Sequence, residues 1–307
     1  MKLIIATRKS QLALWQSEHV AQILKNTHQI EVLLEGFKTK GDVLLDSPLA
    51  KIGGKGLFTK ELEESMLRKE AHLAVHSLKD VPSFFPQGLV LAAVSKREQS
   101  TDAMLSQNYK DFLSLPKGAK IGTTSLRRKM QLLLLRPDLE IVSLRGNVNS
   151  RIEKLKNNDF DAIILAMAGI KRLNLDKQVN FVYEFGKDEL IPAASQGALG
   201  IESIKDEKIL ELLKCLNDEN ALIETSIERE FIATLEGGCQ VPVGINAELL
   251  GDEICVRAVL GLPDGSEILK DKRMIKKNDF KGFGESLAKE FITKGAKELL
   301  KKAESMI

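Results

Sequence analysis

The sequence has few cysteines, and their spacing fits neither a disulfide framework nor a metal site. Only Cys215, Cys239 and Cys255 occur in 307 residues. An odd number at wide spacing does not form the paired pattern of a small secreted fold, and the short spacings typical of zinc ligands are missing. We therefore expect no metal and a reducing compartment, the cytoplasm.

The chain also lacks a strong charge bias, aromatic side chains and long hydrophobic runs. Its formal net charge is +2, with two Tyr and one Trp. Nucleic-acid binders usually combine a basic surface with aromatic stacking platforms, so nucleic acid is not an expected partner. The apolar run at residues 3–6 is too short for a signal peptide, and no run approaches a membrane span. A membrane is therefore not an expected partner either.

What is present is the composition of a globular protein with two or three domains. Apolar residues make up 43% and charged residues 29% of the sequence, which is ordinary for a chain that buries a sizeable core. Through roughly the first 200 residues, short apolar runs alternate with amphipathic helical patterns, as in α/β folds. Short alternating strands and a final helix over residues 283–299 then predict a smaller α+β domain.

A helical pattern leads directly to Cys239. Its apolar members recur at every fourth residue, and they are Ile223, Ile227, Phe231 and Leu235. Glycines at 237 and 238 then end the pattern, and Pro242 prevents the helix from resuming. The thiol therefore lies on a short loop, where it can act as a nucleophile or as a covalent attachment point. A small buried residue in a turn would give the same pattern.

Two predicted strand–turn–helix segments place hydroxyl and basic side chains at a helix start. The first is Thr-Arg-Lys-Ser at residues 7–10, with Ser10 as the N-cap, and the second is Gly-Thr-Thr-Ser-Leu-Arg-Arg at residues 122–128. Backbone N–H groups at a helix start bind anions, and nearby cations strengthen that binding. We expect an anion at each; a capped helix with a solvated arginine is the alternative.

A third polar cluster follows a predicted buried strand at residues 71–75. Ser77, Lys79 and Asp80 come directly after it, and functional residues of open α/β sheets gather beyond strand carboxyl ends. A solvated polar turn is the alternative interpretation. Lys-Ile-Gly-Gly-Lys-Gly at residues 51–56 is too rich in glycine for regular structure, so it predicts a lid or an anion-contacting loop. It lacks the spacing of a P-loop.

The middle of the chain is locally basic. Residues 120–172 contain 11 Lys/Arg and 5 Asp/Glu, and arginines follow one predicted strand after another. Carboxyl ends of neighbouring parallel strands share one edge of a sheet, so these side chains should converge. Because guanidinium forks suit carboxylates and phosphates, the sequence predicts an anion site in this segment.

Taken together, these motifs resemble those of the porphobilinogen deaminase (hydroxymethylbilane synthase) family. Leu-Glu-Gly-Gly-Cys-Gln-Val-Pro-Val-Gly around Cys239 resembles its cofactor-attachment signature. Other matching motifs follow in family order, at residues 6–10, 53–58, 76–82, 122–128, 144–147 and 161–166. One departure is Ser195, which precedes Gln196 where many members have glycine.

The resemblance implies three domains. The first two would have the architecture of type II periplasmic binding proteins, with mixed sheets, and the third would be a smaller α+β domain. Domain 1, with the catalytic aspartate and the lid loop, would comprise residues 1–98 and 197–216. The arginine-rich domain 2 would comprise residues 99–196. Domain 3, which carries the cysteine, would comprise residues 217–307.

The resemblance also implies a transferase that acts on porphobilinogen and a growing pyrrole chain. A dipyrromethane cofactor would be joined to Cys239 by a thioether. Four porphobilinogen units would be added to it with loss of ammonia, and hydrolysis would release linear hydroxymethylbilane for tetrapyrrole synthesis. Each pyrrole carries an acetate and a propionate, so six rings bring twelve carboxylates, which accounts for the arginines. A monomer is expected.

Residue roles follow from the same resemblance. Asp80 would be catalytic, with Lys79, because a fixed carboxylate stabilises cationic pyrrole intermediates and transfers protons. The matching cofactor-binding residues are Cys239, Ser77, Lys79, Asp80, Thr123, Thr124, Ser125, Arg127, Arg128, Arg145 and Gly146. The matching substrate-binding residues are Arg8, Ser10, Lys51, Lys55, Phe58, Arg145, Arg151, Arg172 and Gln196.

A non-catalytic two-domain protein that binds small anions is the alternative from a different functional class. The strand-end arginines fit it equally well, but it has no use for Cys239. Incubation with porphobilinogen distinguishes the two, because only the enzyme releases ammonia and forms an oxidisable linear tetrapyrrole.

Overall fold

The computed structural model describes residues 2–43, 57–236 and 241–306. Its strands form two five-stranded mixed sheets and one three-stranded antiparallel sheet. The chain divides into two compact units. One comprises Met1–Glu98 and Ala198–Leu222, and the other comprises Gln99–Gly197 and Ile223–Ile307. In the described part of the chain, no helix has both the length and the apolar character needed to cross a bilayer.

The first unit is built on a sheet of strand order β2-β1-β3-β10-β4. Its strands are β1 (Lys2–Arg8), β2 (Glu31–Phe37), β3 (Leu73–Ser77), β4 (Leu89–Val94) and β10 (Leu199–Ile204). Its helices are α1 (Gln11–His28), α2 (Lys40–Val43), α3 (Lys60–Leu67) and α7 (Glu207–Leu213), with 3-10 turns at Leu78–Asp80 and Lys214–Leu216. The pairs β1–β2 and β1–β3 are parallel, whereas β10 runs antiparallel to β3 and β4. Buried aliphatic side chains such as Leu3, Ile5 and Leu24 form its core.

The second sheet has the order β7-β6-β8-β5-β9. Its strands are β5 (Asp102–Ser106), β6 (Lys120–Gly122), β7 (Glu140–Val142), β8 (Ala162–Ala166) and β9 (Phe181–Glu184). Its helices are α4 (Leu126–Leu135), α5 (Val148–Lys156) and α6 (Met167–Arg172), with a 3-10 turn at Leu175–Gln178. Here too, β6 pairs in parallel with β7 and β8, whereas β5 runs antiparallel to β8 and β9.

The two large sheets therefore share one pairing pattern, and this confirms the predicted α/β class with mixed sheets. In each sheet the fourth position in the order is taken by an antiparallel strand, β10 in one and β5 in the other. The small residues that dominate residues 191–202 predict a return of the chain to the first sheet, and the pairing of β10 with β3 confirms it. The finer division into three domains remains a prediction.

The C-terminal part is α+β, as predicted. Its elements are α8 (Glu219–Thr234), β11 (Val243–Leu250), β12 (Glu253–Gly261), β13 (Ile268–Lys276), a 3-10 turn at Lys277–Asp279, α9 (Phe283–Thr293) and α10 (Ala296–Glu304). The four apolar positions predicted on one face, three of them in α8 and the fourth, Leu235, directly after it, are all buried. Phe231 of that face meets Phe291 edge to face, with 5.3 Å between the ring centroids, an arrangement that aromatic rings prefer.

Three predictions were wrong in detail. The final helix is interrupted, because Gly295 has φ +91° and such a left-handed residue ends one helix before the next begins. Spacing in the sequence predicts a helix with Leu12, Trp15, His19 and Ile23 on one side, but the buried face of α1 carries Val20 and Leu24 instead. The helical segment around residues 206–216 predicts a core position for Cys215, because a free cysteine is usually buried, but Cys215 is exposed.

Candidate active site

The end of β3 presents the predicted polar cluster. Ser77 is the last residue of the strand, and the 3-10 turn Leu78–Asp80 follows at once. Leu78 is fully buried and anchors the turn, while Lys79 is half-buried and Asp80 is exposed. The Asp80 carboxylate therefore lies just beyond the carboxyl end of a parallel strand, with an ammonium and a hydroxyl within three residues along the chain.

A buried polar network on α1 supports this strand end. Gln16, which is buried, donates from Nε2 to Ser77 Oγ at 2.9 Å. One residue on, Ser17 Oγ donates to Thr7 Oγ1 at 2.7 Å. Buried polar groups that are fully hydrogen-bonded fix a local geometry. Sequence reasoning missed Gln16 and Ser17, although two adjacent polar residues on a helix face that is otherwise apolar are a usable signal.

Arg8, at the end of β1, is held by Asp42. Its Nε donates to Asp42 Oδ2 at 3.2 Å, and its Nη2 pairs with Oδ1. Burial opposes ionisation of Asp42, but hydrogen bonds from Arg8 and Thr39 lower its pKa below the ordinary value. The Arg8 guanidinium also lies 4.3 Å from the centroid of the Phe58 ring, within cation–π range. A Cβ at Gly41 would overlap that ring, so the packing requires glycine there.

The predicted N-cap at Ser10 is confirmed, because its Oγ accepts from the backbone N–H of Ala13 at 3.4 Å. Lys51, Lys55 and Cys239 lie outside the described residues, so the lid loop and the attachment cysteine remain predictions from the sequence. Asp42 was missed, and its signal was only its nearness to the glycine-rich loop.

The start of α4 is capped by its own hydroxyl residues. Ser125 Oγ accepts from the backbone N–H of Arg128 at 3.4 Å, and Thr123 Oγ1 accepts from that of Ser125 at 3.2 Å. Thr124, between them, is half-buried. This confirms the predicted strand–turn–helix at residues 122–128. A Cβ at Gly122 would lie 2.9–3.0 Å from the side chains of Leu144, Phe160 and Ile163, so these would have to shift to admit a larger residue.

Arg127 and Arg128 are both buried, and both pair with Asp102, the first residue of β5. Arg127 Nη1 donates to Asp102 Oδ2 at 2.7 Å, and Arg128 Nη2 donates to Oδ1 at 2.6 Å. Although burial alone would raise it, the two guanidiniums hold the pKa of Asp102 well below its usual range. Some N–H groups of both arginines are therefore hydrogen-bonded within the protein. Sequence reasoning missed Asp102, whose signal is one carboxylate in an otherwise buried strand.

Arg145 and Arg151 lie on either side of a turn that only glycine allows. Gly146 has φ +113°, and a Cβ there would overlap Ser150. Its carbonyl oxygen accepts from Arg151 Nε at 2.9 Å, while Asn147 caps α5. Both arginines are half-buried. The structure thus brings these two predicted residues to one loop after β7.

Arg172 and Gln196 meet the chain segment that returns to the first sheet. Arg172 Nη2 donates to the carbonyl oxygen of Gly197 at 2.7 Å. Gln196 is buried, and its Nε2 donates to the carbonyl oxygen of Ser100 at 2.7 Å and to Asp102 Oδ1 at 3.0 Å. The amide nitrogen of Gln196 is therefore directed at the protein, which the predicted role in substrate binding did not anticipate.

Comparison with known proteins supports one family over nearly the whole chain. Two family models match, described as "Porphobilinogen deaminase, dipyromethane cofactor binding domain" at residues 3–211 and "Porphobilinogen deaminase, C-terminal domain" at residues 222–293. A curated porphobilinogen deaminase from Campylobacter jejuni subsp. doylei is 98% identical over 307 residues, which is 100% of both chains. Those from Campylobacter lari and Campylobacter hominis are 72% and 63% identical, covering 100% and 99% of both chains.

Proposed function

The chain belongs to the porphobilinogen deaminase family, and from that membership we propose which of its residues bind carboxylates and which handle protons. It is a transferase that carries a dipyrromethane cofactor and joins porphobilinogen units into hydroxymethylbilane for tetrapyrrole synthesis. Membership sets aside the non-catalytic anion-binding alternative. The roles of single residues below are our proposal.

The residues at the start of α4 fit an acidic pyrrole cofactor. Two buried guanidiniums share one carboxylate there, which leaves an excess of one positive charge beside a helix N-terminus. We assign the cofactor carboxylates to the N–H groups of Arg127 and Arg128 that Asp102 does not use. The supporting hydrogen-bond donors would be Thr123, Thr124, Ser125, Arg145 and the backbone of Gly146. When bound through Cys239, dipyrromethane would supply the free pyrrole carbon to which the first unit is joined, and each later unit would be joined to the ring added before it.

Asp80 is the proposed catalytic carboxylate. It is exposed at a strand end, and Leu78 and the Gln16–Ser77 hydrogen bond hold the turn that carries it. A carboxylate fixed in this way stabilises positive charge on a pyrrole nitrogen and passes protons to a departing amine. Lys79 would bind a cofactor carboxylate next to it.

The incoming porphobilinogen is assigned to residues near the end of β1. Asp42 and the Phe58 ring fix the Arg8 guanidinium, so its remaining N–H groups are oriented for a substrate carboxylate. Ser10 would add a hydroxyl. Arg145, Arg151 and Arg172 would bind carboxylates of the growing chain. Lys51 and Lys55 keep the role that the resemblance gives them.

An Asp80→Asn enzyme tests the catalytic assignment, which is supported above all by the exposed Asp80 at the end of β3. We expect kcat to fall by about 10²–10⁴-fold, with the melting temperature unchanged because the side chain is exposed and the replacement isosteric. Glu64→Gln, which neutralises an exposed carboxylate on α3, is the matched control and should leave kcat unaffected. A near-normal kcat in Asp80→Asn would remove Asp80 from this role.

The monomeric state, the cytoplasmic location and the lack of a nucleic-acid partner belong to the proposal as well. Light scattering coupled to size-exclusion chromatography tests the first, and a mass of two chains would contradict it. The nearly balanced net charge of +2 supports the absence of nucleic acid, because a sequence-independent phosphate attraction needs a basic surface.

A further inference from the structure

Asp102 is a fully buried carboxylate, and its burial requires a specific physical explanation. It begins β5, whose five residues are all buried, and its own side chain is fully inaccessible. A buried carboxylate is unfavourable unless several hydrogen bonds and opposite charges compensate for the lost hydration. Nothing in the family resemblance assigned this residue a function.

The Asp102 carboxylate accepts four hydrogen bonds. Three come from the arginines of α4: Arg127 Nη1 at 2.7 Å, and Arg128 Nε at 3.1 Å and Nη2 at 2.6 Å. The fourth comes from Gln196 Nε2 at 3.0 Å. Three of these bonds reach Oδ1 and one reaches Oδ2, so both oxygens are held and the carboxylate is fixed from two separate parts of the chain.

Each arginine has a second anchor. Arg127 Nη1 also donates to the carbonyl oxygen of Ile191 at 2.8 Å, and Arg128 Nη1 donates to that of Ile164 at 2.9 Å. Two anchors fix the plane of a guanidinium, and the N–H groups that remain then point in fixed directions. Arg127 is buried, and the resulting loss of hydration lowers the pKa of its guanidinium.

The charges of the cluster do not balance. Two buried cations face one anion, and no second carboxylate among the described residues pairs with either arginine. A pair that served only the fold would be neutral with one arginine, since uncompensated buried charge is costly. The surplus charge is what an anionic ligand would neutralise.

We propose that Asp102 is the positioning residue of the arginine pair: it orients Arg127 and Arg128 so that their remaining N–H groups meet a carboxylate of a pyrrole ligand. Gln196 supports this arrangement by donating a hydrogen bond to Asp102 Oδ1 rather than by contacting substrate. The inference rests on the proposed function, because the ligand it names is the acidic pyrrole chain of this reaction.

The test uses Asp102→Glu, which keeps the charge but moves it by one methylene, together with Asp102→Asn. Each variant is expressed in full, and its intact mass gives the fraction of chains that carry the covalent cofactor. KM and kcat for porphobilinogen are then measured on the loaded fraction. We expect reduced loading in both variants and a KM raised about tenfold or more, because misplacing a binding group by ~1 Å weakens its contacts steeply. We expect kcat in the loaded Asp102→Glu fraction to change far less.

The matched control is Asp188→Asn. Asp188 also accepts from two cations of the same unit, Arg257 Nε and Lys272 Nζ, each at 2.9 Å, but it is remote in sequence from the arginine pair. This control should lose stability while keeping full loading and a normal KM. Normal loading and KM in Asp102→Glu would overturn the proposal, as would a failure of both Asp102 variants to fold, since the carboxylate would then be structural. A wild-type chain without added mass would instead refute the covalent attachment, whatever the variants do.

Discussion

Ser195 adopts a left-handed backbone conformation, with φ +62°, at a position where the chain departs from the family motif. Its backbone N–H donates to the buried Glu228 of α8, and its hydroxyl is buried without a hydrogen-bond partner among the described residues. Glycine, which many members have here, would avoid both the Cβ strain and the unpaired hydroxyl. The sequence showed the departure, but only the structure gives it a physical meaning.

Ser195→Gly should therefore stabilise the protein. We expect the free energy of unfolding to rise by up to about 1 kcal/mol, since relief of left-handed strain exceeds the greater chain entropy of glycine. Urea unfolding monitored by circular dichroism measures the change. Ser195→Ala is the control, because it removes the hydroxyl but keeps the Cβ. The account is wrong if the alanine variant is as stable as the glycine variant.

At the scale of elements, Glu63 on α3 interacts electrostatically with a buried pair formed by His76 and Glu202. His76 of β3 and Glu202 of β10 are buried, and Nε2 of the histidine lies 3.0 Å from Oε2 of the glutamate. Burial raises the pKa of Glu63 on α3, and the Glu202 carboxylate acts in the same direction, whereas Thr59 and His76 act against this shift without reversing it. At neutral pH the ionised Glu63 therefore opposes folding of this helix onto its sheet.

Glu63→Gln should remove that cost. Because the folded pKa of Glu63 lies above the unfolded value, the gain in stability is full above the folded pKa. It vanishes as the pH falls below about 4.5, where the carboxyl is protonated in both states. We expect a gain of less than about 1 kcal/mol at pH 7.5, because the site is partly solvated. Glu64→Gln, on the exposed face of α3, should show no comparable pH-dependent gain, and equal behaviour of the two variants would contradict the assignment.

Helices and strand ends could be predicted from the sequence, because their signals are local. The fourfold spacing gave the buried face of α8, and Ser10 and Ser125 cap the helices that follow them. The partners of the arginines could not be predicted. Asp102 meets Arg127 and Arg128 only because β5 pairs antiparallel with β8. No local sequence pattern predicts an ion pair between residues that are 25 positions apart.

At the scale of the whole chain, the net charge is nearly balanced, but the charged residues are distributed unevenly along the sequence. The net charge is +2, yet residues 120–172 hold 11 basic and 5 acidic residues. In the second unit, Asp102 offsets only half the charge of the arginines it holds. The surplus fits a ligand that carries two carboxylates on every ring, and this explains why a nearly neutral protein can bind a highly acidic product.

The account depends most on the covalent cofactor at Cys239. Intact mass spectrometry of the purified wild-type chain tests it directly, with Cys239→Ser as the matched variant, because the thioether requires the cysteine sulfur. We predict that the active wild-type chain exceeds its sequence mass by one dipyrromethane and that the serine variant shows no such excess. An active wild-type chain with no added mass would contradict the account.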